Sequence, residues 1–188
     1  MKCRSLRLGI DLDGVVADFN DGWITRYNRD FDADLTVDQV VEWNAPTHLT
    51  HFKGMAEFWD WARSCGEGRS LFRPLGTYPE ALHSLQDLHR AGHRIVILTT
   101  KPDFAIHDTF EWLAEHKIPT TEVHIVEDKS AVECDIYLDD ADHNLAALRS
   151  ARSDSTVCRF VRPWNSAGDG LVDVESWPEF VDVVGATA

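Results

Sequence analysis

A chain of 188 residues with 44% hydrophobic side chains and seven tryptophans carries enough apolar material for a sizeable core, which excludes global disorder. Its formal net charge of −14 argues against a polyanionic partner such as duplex DNA, because that binding runs on Lys and Arg contacts to phosphate. A small phosphorylated ligand, whose charge a metal can neutralise, stays open, and the length fits one α/β domain with an insertion or a core plus a small cap.

Cys3, Cys65, Cys134 and Cys158 are scattered without a Cys-x-x-Cys pair and are expected to be reduced thiols. The opening Met-Lys-Cys-Arg-Ser runs into a strand without a signal-peptide pattern, and no apolar run approaches a membrane span. A cytoplasmic location is the expectation.

In chain order, the first apolar run is Leu6-Arg7-Leu8-Gly9-Ile10, a buried strand with Gly14 as its turn signal. It ends in two carboxylates two residues apart, Asp11 and Asp13. Acids at the carboxyl end of such a strand sit where open α/β sheets bind ligands. Paired acids repel unless a cation or a shared proton compensates them, so the pattern points to an active site. Residues 21–33 read as a helix. From there to Arg73 the chain is rich in aromatics, with Phe58, Trp61 and Ala62 at helical spacing, and reads as a small helical insert. Gly66-Glu67-Gly68-Arg69-Ser70 lacks the Lys-Ser/Thr ending of a P-loop and reads as a plain turn.

Strand–helix alternation starts at Pro74. Pro79 is placed to open a helix at its first turn, with Leu82, Leu85 and Leu88 along one side and Gly92 past its end. A buried strand is predicted over 94–99, then a helix over 103–117 with Phe110, Leu113 and Ala114 on one face. Short strands follow at 122–126 and 135–138, then a helix at 142–150, a strand at 156–161 and a last helix at 177–184. The alternation implies a mostly parallel sheet covered on both faces.

Such a sheet brings sequence-distant residues to one edge: Asp11 and Asp13, Thr99 and Thr100, Lys129, and Asp139 and Asp140. Hydroxyls directly after a strand suit a phosphate oxygen, although Thr100 also fits a helix cap. Lys129 is either a surface lysine or an ammonium that stabilises charge on a phosphoryl group. Asp139 and Asp140 are either an acidic helix cap or, with Asp11, a site for Mg²⁺, a hard cation that prefers oxygen ligands. His48 and His51 lack an evident third ligand for zinc. His143 reads as a helix-face residue, with contact to the substrate as the competing reading, Asp18 as structural and Asp21 as a solvated cap.

Together, Asp-x-Asp-Gly-Val-x-Ala-Asp from Asp11, a strand ending in Thr, a lone Lys and then Asp-Asp resemble the four motifs of haloacid-dehalogenase-type phosphatases, in family order. A narrower likeness is to the 5′(3′)-deoxyribonucleotidase branch. It is carried by Asp-Gly-Val-Val-Ala-Asp-Phe at 13–19, the insert after the first motif, Phe72-x-Pro-Leu at its exit and Asp-Lys-Ser at 128–130. Leu-Asp-Asp at 138–140 and Arg-Pro-Trp-Asn at 162–165, followed by Ser176-Trp177, add to it. The resemblance implies a Rossmann-like α/β core of residues 1–18 and 74–188 with a mostly parallel sheet, and a small helical cap of residues 19–73.

It also implies a Mg²⁺-dependent phosphomonoesterase acting through an aspartyl-phosphate. Asp11 would be the nucleophile, and Asp13 would protonate the leaving alkoxide and then activate water. The Asp13 carbonyl, Asp11 and Asp140 would bind Mg²⁺, with Asp139 in support; Thr99 and Thr100 would hold the phosphate and Lys129 would neutralise it. Phe19 and Trp43 would contact the base of a (deoxy)nucleoside 5′-monophosphate, while packing inside the cap is the competing reading for Trp43 and the favoured one for Trp59 and Trp61. Asp13 favours phosphoryl chemistry over dehalogenation, because a halide leaving group needs no proton. Two positions depart from the branch: Glu127 stands where its members carry Arg, and Thr100 replaces a Ser. The expected partners are a small phosphorylated substrate and, as an open option, a second copy in a homodimer, with no nucleic acid polymer and no membrane. The rival readings are a phosphatase for another small metabolite and a non-catalytic phosphate-binding module.

Overall fold

The computed structural model describes residues 4–188; Cys3 lies outside them. At its centre is β1 (Arg7–Ile10), flanked by β2 (Arg94–Thr99) on one side and β4 (Ile136–Asp139) on the other. There is no room for a side chain at Gly9: a Cβ there would come within 2.8 Å of Leu98 and 3.0 Å of Tyr137, one from each neighbouring strand. With β3 (Thr120–Ile125), β5 (Thr156–Phe160) and β6 (Val172–Val174), the sheet runs β3-β2-β1-β4-β5-β6 and every pairing is parallel. The strand order reverses between β1 and β4, which opens a crevice at their carboxyl ends.

Both faces of the sheet are covered, as a near-continuous apolar strand requires. In β2, Ile95 and Ile97 join one apolar cluster while Val96 and Leu98 join another, the period-two alternation of a strand buried on both sides. The first cluster takes residues from α4 (Ala81–Arg90), α5 (Ile106–Glu115) and α7 (Trp177–Thr187). The second takes Leu145 and Leu148 from α6 (Asp142–Ala151).

Between β1 and α4 the chain forms α1 (Phe19–Phe31), α2 (Ala45–Leu49) and α3 (Met55–Ala62). They gather round a third cluster that includes Trp23, Tyr27, Phe52, Phe58 and Leu71. Trp23 and Phe58 are fully buried there, worth ~1.5–3 kcal/mol each in apolar transfer. No helix among the described residues is long and apolar enough to cross a membrane. The described cysteines, Cys65, Cys134 and Cys158, are all free thiols.

Several local expectations need correction. Pro79 does not open α4: Glu80 caps that helix in a left-handed conformation (φ 63°), and the helix begins at Ala81. The preceding segment is held extended against the loop after β1, by a bridge between Ala17 and Thr77 and a Tyr78 N–H to Val16 carbonyl bond of 2.9 Å. In α5 the inward face is Asp108, Thr109, Trp112 and Leu113, leaving Phe110 and Ala114 exposed. A 3-10 turn at Asp103–Ala105 precedes α5, and the Trp112 indole anchors the helix by donating to the Leu75 carbonyl at 2.8 Å. The three-residue β6 was not expected at all. Asp18, not Asp21, caps α1, accepting from the Asp21 N–H at 3.1 Å.

Candidate active site

The sheet continues one step past β1: the Asp11 N–H donates to the Leu138 carbonyl of β4 at 3.0 Å, which pins Asp11 beside the crevice. The chain then turns tightly, with the amides of Val15, Val16 and Ala17 all donating to the Leu12 carbonyl. Gly14 makes this turn possible. Its φ is +80°, and a Cβ there would lie 2.1 Å from Asp140 Oδ2, so both the backbone conformation and the space demand glycine.

Asp11, Asp139 and Asp140 are buried, with one carboxylate oxygen from each lying within 4.8 Å of the others. The cation against them is Lys129, whose side chain is only 2% exposed. Its Nζ lies 2.8 Å from Asp11 Oδ1 and 2.6 Å from Asp139 Oδ2. Lys129 opens a short 3-10 turn after β3, capped by Asp128, which directs it inward and rules out the surface-lysine reading. Burial works against the Lys129 ammonium, but Asp11 and Asp139 outweigh it and hold the lysine above its ordinary value. Burial also pushes Asp11 up to about 7, against the pull of Lys129 and with Asp139 and Asp13 adding repulsion. Burial and the charges of Asp11 and Asp139 raise Asp140 well above the usual carboxylate range.

The two adjacent acids are used differently. Asp139 is saturated: it takes Lys129 on Oδ2, the Ala141 N–H on Oδ1 at 2.9 Å, and the Asn144 amide at 3.3 Å from both oxygens. Asp140 receives the Trp164 indole N–H on Oδ2 at 2.7 Å, while its Oδ1 is buried without a partner. Asp13 repeats this arrangement, with Lys101 Nζ 2.5 Å from Oδ2 and a buried, unpartnered Oδ1. The Thr99 hydroxyl is also buried and unpartnered. Buried polar atoms are nearly always paired in folded proteins. Three such exceptions lie at the ends of β1, β2 and β4 beside an acidic cluster, and their oxygens could serve an oxygen-coordinated cation and an anionic ligand.

A cavity of about 430 Å³ opens over this cluster. Asp11, Asp13, Lys129 and Asp140 line its floor, and Phe19, Trp43, Trp59, Phe72 and His143 line its walls, with Glu42 and Glu127 also facing it. Phe19 stacks on Phe72 at 5.5 Å. Trp43 is 53% exposed and stands edge-on to His143 at 5.3 Å, so it is not part of the insert's core. Trp61 packs in the insert with its indole bonded to Asp30, whereas Trp59 both packs and faces the cavity. Of the two threonines, Thr100 lines the cavity with its hydroxyl donating to the Val126 carbonyl, so it caps no helix; Thr99 lies behind it.

Elsewhere, His48 lies 3.8 Å from Glu42 and His51 bonds to the Tyr27 hydroxyl at 2.8 Å, and neither joins a metal-capable group among the described residues. Residues 66–70 form a plain turn outside the cavity.

The sequence matches, over residues 4–188, the family described as 5′ nucleotidase, deoxy (pyrimidine), cytosolic type C protein. The chain belongs to this family. A protein of Chlorobaculum tepidum, provisionally named a 5′(3′)-deoxyribonucleotidase, is 28% identical over 99% of this chain and 93% of its own length. The 5′(3′)-deoxyribonucleotidase of Bacillus subtilis is 24% identical over 92% of this chain and 94% of its own. Among solved structures, a haloacid dehalogenase-like family hydrolase of Streptococcus pneumoniae superposes with a TM-score of 0.66 at 12% identity, covering 95% of this chain and 98% of that one. Membership in the deoxyribonucleotidase family makes the chain a phosphoric monoester hydrolase with a haloacid-dehalogenase-like core.

Two residues in this deoxyribonucleotidase-family site carried no role in the sequence reading. The Lys101 side chain is 2% exposed, bonded to Asp13 and 4.3 Å from the centre of the Phe72 ring. Its only signal was its place directly after the Thr pair. Trp164 sat inside Arg-Pro-Trp-Asn, a motif that marked the likeness without saying what it touches.

Proposed function

We propose that this chain is a Mg²⁺-dependent phosphomonoesterase that hydrolyses deoxynucleoside 5′-monophosphates. The observation that carries the chemistry is the set of buried, unpartnered oxygens on Asp13, Thr99 and Asp140 around the Lys129–Asp11 pair. In this reading Asp11 attacks phosphorus, and the bond to the ester oxygen breaks as Asp13 delivers a proton to that oxygen. Water then attacks the aspartyl-phosphate while Asp13 takes its proton, releasing phosphate and restoring Asp11. The unpartnered Thr99 hydroxyl orients a phosphoryl oxygen and Lys129 stabilises the phosphoryl charge, whereas Thr100, expected to share the phosphate, has its hydroxyl proton engaged by the Val126 carbonyl. Asp11, Asp140 and the Asp13 carbonyl would hold Mg²⁺, with Asp139 keeping Lys129 in place. When bound, the cation screens the anionic nucleophile from the anionic phosphate.

The substrate half of the proposal rests on the aromatic walls and on the named relatives. Phe19 and Trp43 line the cavity and supply aromatic surface for a base, and the carboxylates of Glu42 and Glu127 disfavour further phosphates. Residues 19–73 act as a cap on a catalytic core formed by the rest, in a cytoplasmic enzyme.

The test is phosphate release from deoxynucleotides, ribonucleotides and sugar phosphates, with Mg²⁺ or EDTA and with Asp11→Asn as control. We expect a preference for deoxynucleoside monophosphates that disappears on chelation and in the mutant. Release from sugar phosphates alone would keep the chemistry and reject the nucleotide. Ligand binding with no turnover anywhere would favour a non-catalytic phosphate-binding module.

A further inference from the structure

We infer that Trp164 is a positioning residue for the metal-binding carboxylate of Asp140, steadied on its other side by the helical insert. The inference rests on the metal reading proposed above and concerns a residue outside the motifs that define it.

The turn after β5 grips Asp140 at two points. The Asn165 amide donates to the Asp140 carbonyl at 2.8 Å and to the Phe160 carbonyl at 2.9 Å. Its oxygen accepts from the Arg162 N–H and from Arg159, so every strong bonding position of that amide is used in holding the turn. The neighbouring Trp164 indole then reaches Asp140 Oδ2 at 2.7 Å. Gly14 packs against the same oxygen, leaving no room even for a methyl group. The carboxylate, a member of the cluster with Asp11 and Asp139, is thus held through one oxygen, while the other, Oδ1, is buried without a partner. An indole N–H only donates, so Trp164 orients the carboxylate without competing for a cation.

The Trp164 ring also packs against the insert's apolar cluster. Of the residues in or against that cluster, only Phe104 and Trp164 lie beyond Leu71 in the chain. One side chain therefore joins the insert's packing to an oxygen of the acidic site.

Removing a partner that orients a metal ligand typically weakens metal affinity by ~10–100-fold. The experiment is calorimetric titration with Mg²⁺ alone on the full chain, comparing wild type, Trp164→Phe and Asp140→Asn, with melting temperatures measured without Mg²⁺. We expect Trp164→Phe to bind Mg²⁺ at least tenfold more weakly while melting within ~5 °C of wild type. Should Trp164→Phe fail to fold, 3-benzothienylalanine incorporated at position 164 keeps the bicyclic shape, lacks the N–H and is expected to weaken Mg²⁺ binding equally. Wild-type affinity in either folded variant, alongside its loss in Asp140→Asn, would overturn the role of Trp164 and leave the metal reading standing. Unchanged affinity in Asp140→Asn would overturn both.

Discussion

Lys129 and Asp11 form a buried ion pair, 2.8 Å from Nζ to Oδ1, at the crevice where the sheet reverses its strand order. The lysine arrives on the turn after β3 and the acid leaves β1, so the pair exists only because the parallel sheet aligns their ends. Asp139, 2.6 Å from the same ammonium, makes it a three-member cluster.

Replacing Lys129 by Ala leaves Asp11 and Asp139 buried without their cation. Removing one partner of a buried pair typically costs ~3–5 kcal/mol. A donor that stabilises developing charge is worth ~10²-fold or more in turnover. We expect Lys129→Ala to show both losses, in urea melts and in steady-state kcat; a fall in kcat below tenfold would make the lysine a bystander to the chemistry.

Gly14→Ala tests how tightly the loop after β1 is built. The new methyl would meet Asp140 Oδ2 in a backbone conformation that L side chains rarely adopt. We expect a stability loss of ~1–2 kcal/mol together with a marked rise in the Mg²⁺ concentration needed for half-maximal activity. Wild-type Mg²⁺ dependence would show that the carboxylate shifts without consequence.

Lys101→Met removes the side chain that holds Asp13 through Oδ2. A misplaced general acid matters most when the leaving group needs a proton. We therefore expect a fall of ~10-fold or more on alkyl phosphate esters such as nucleoside monophosphates, and a smaller one on p-nitrophenyl phosphate. Equal losses on both would assign Lys101 to binding or folding instead.

At the edge of the sheet, the Arg7 guanidinium grips Glu122 with two hydrogen bonds, and His124 adds a third contact; together they hold the Glu122 carboxyl down at about 2. A carboxyl lower in the folded than in the unfolded chain stabilises the fold above its unfolded value of 4.5. That contribution fades as pH falls from there through about 2. Glu122 is 25% exposed, so its worth is discounted to about 1 kcal/mol. Glu122→Gln should be less stable than wild type by that amount in denaturant melts at pH 7, with the gap closing toward pH 2. A gap independent of pH would mean that packing, not charge, is lost.

What the sequence determined by itself is the part set by local pattern. Apolar runs ending in Asp11, Thr99 and Asp139-Asp140, alternating with helical segments, were enough to imply a parallel sheet with those residues at one edge, and the six-stranded sheet has that form. Periodicity is a property of neighbouring residues, so it can be read without coordinates. Its failures were also local: a 3-10 turn and a deep Trp112 set the inward face of α5, and a three-residue β6 is too short to leave a pattern.

Which partner each edge residue takes was decided only by the tertiary structure. Asp139 and Asp140 are adjacent and chemically identical, yet one is saturated by Lys129, Ala141 and Asn144 while the other keeps a free oxygen. Thr99 and Thr100 divide in the same way, one hydroxyl unpartnered and the other spent on Val126. Lys101 and Trp164 reach the acids from segments whose own sequence says nothing about distance. Hydrogen bonds and ion pairs act over about 3 Å, and separations on that scale are set by how the strands, the turns and the insert pack together.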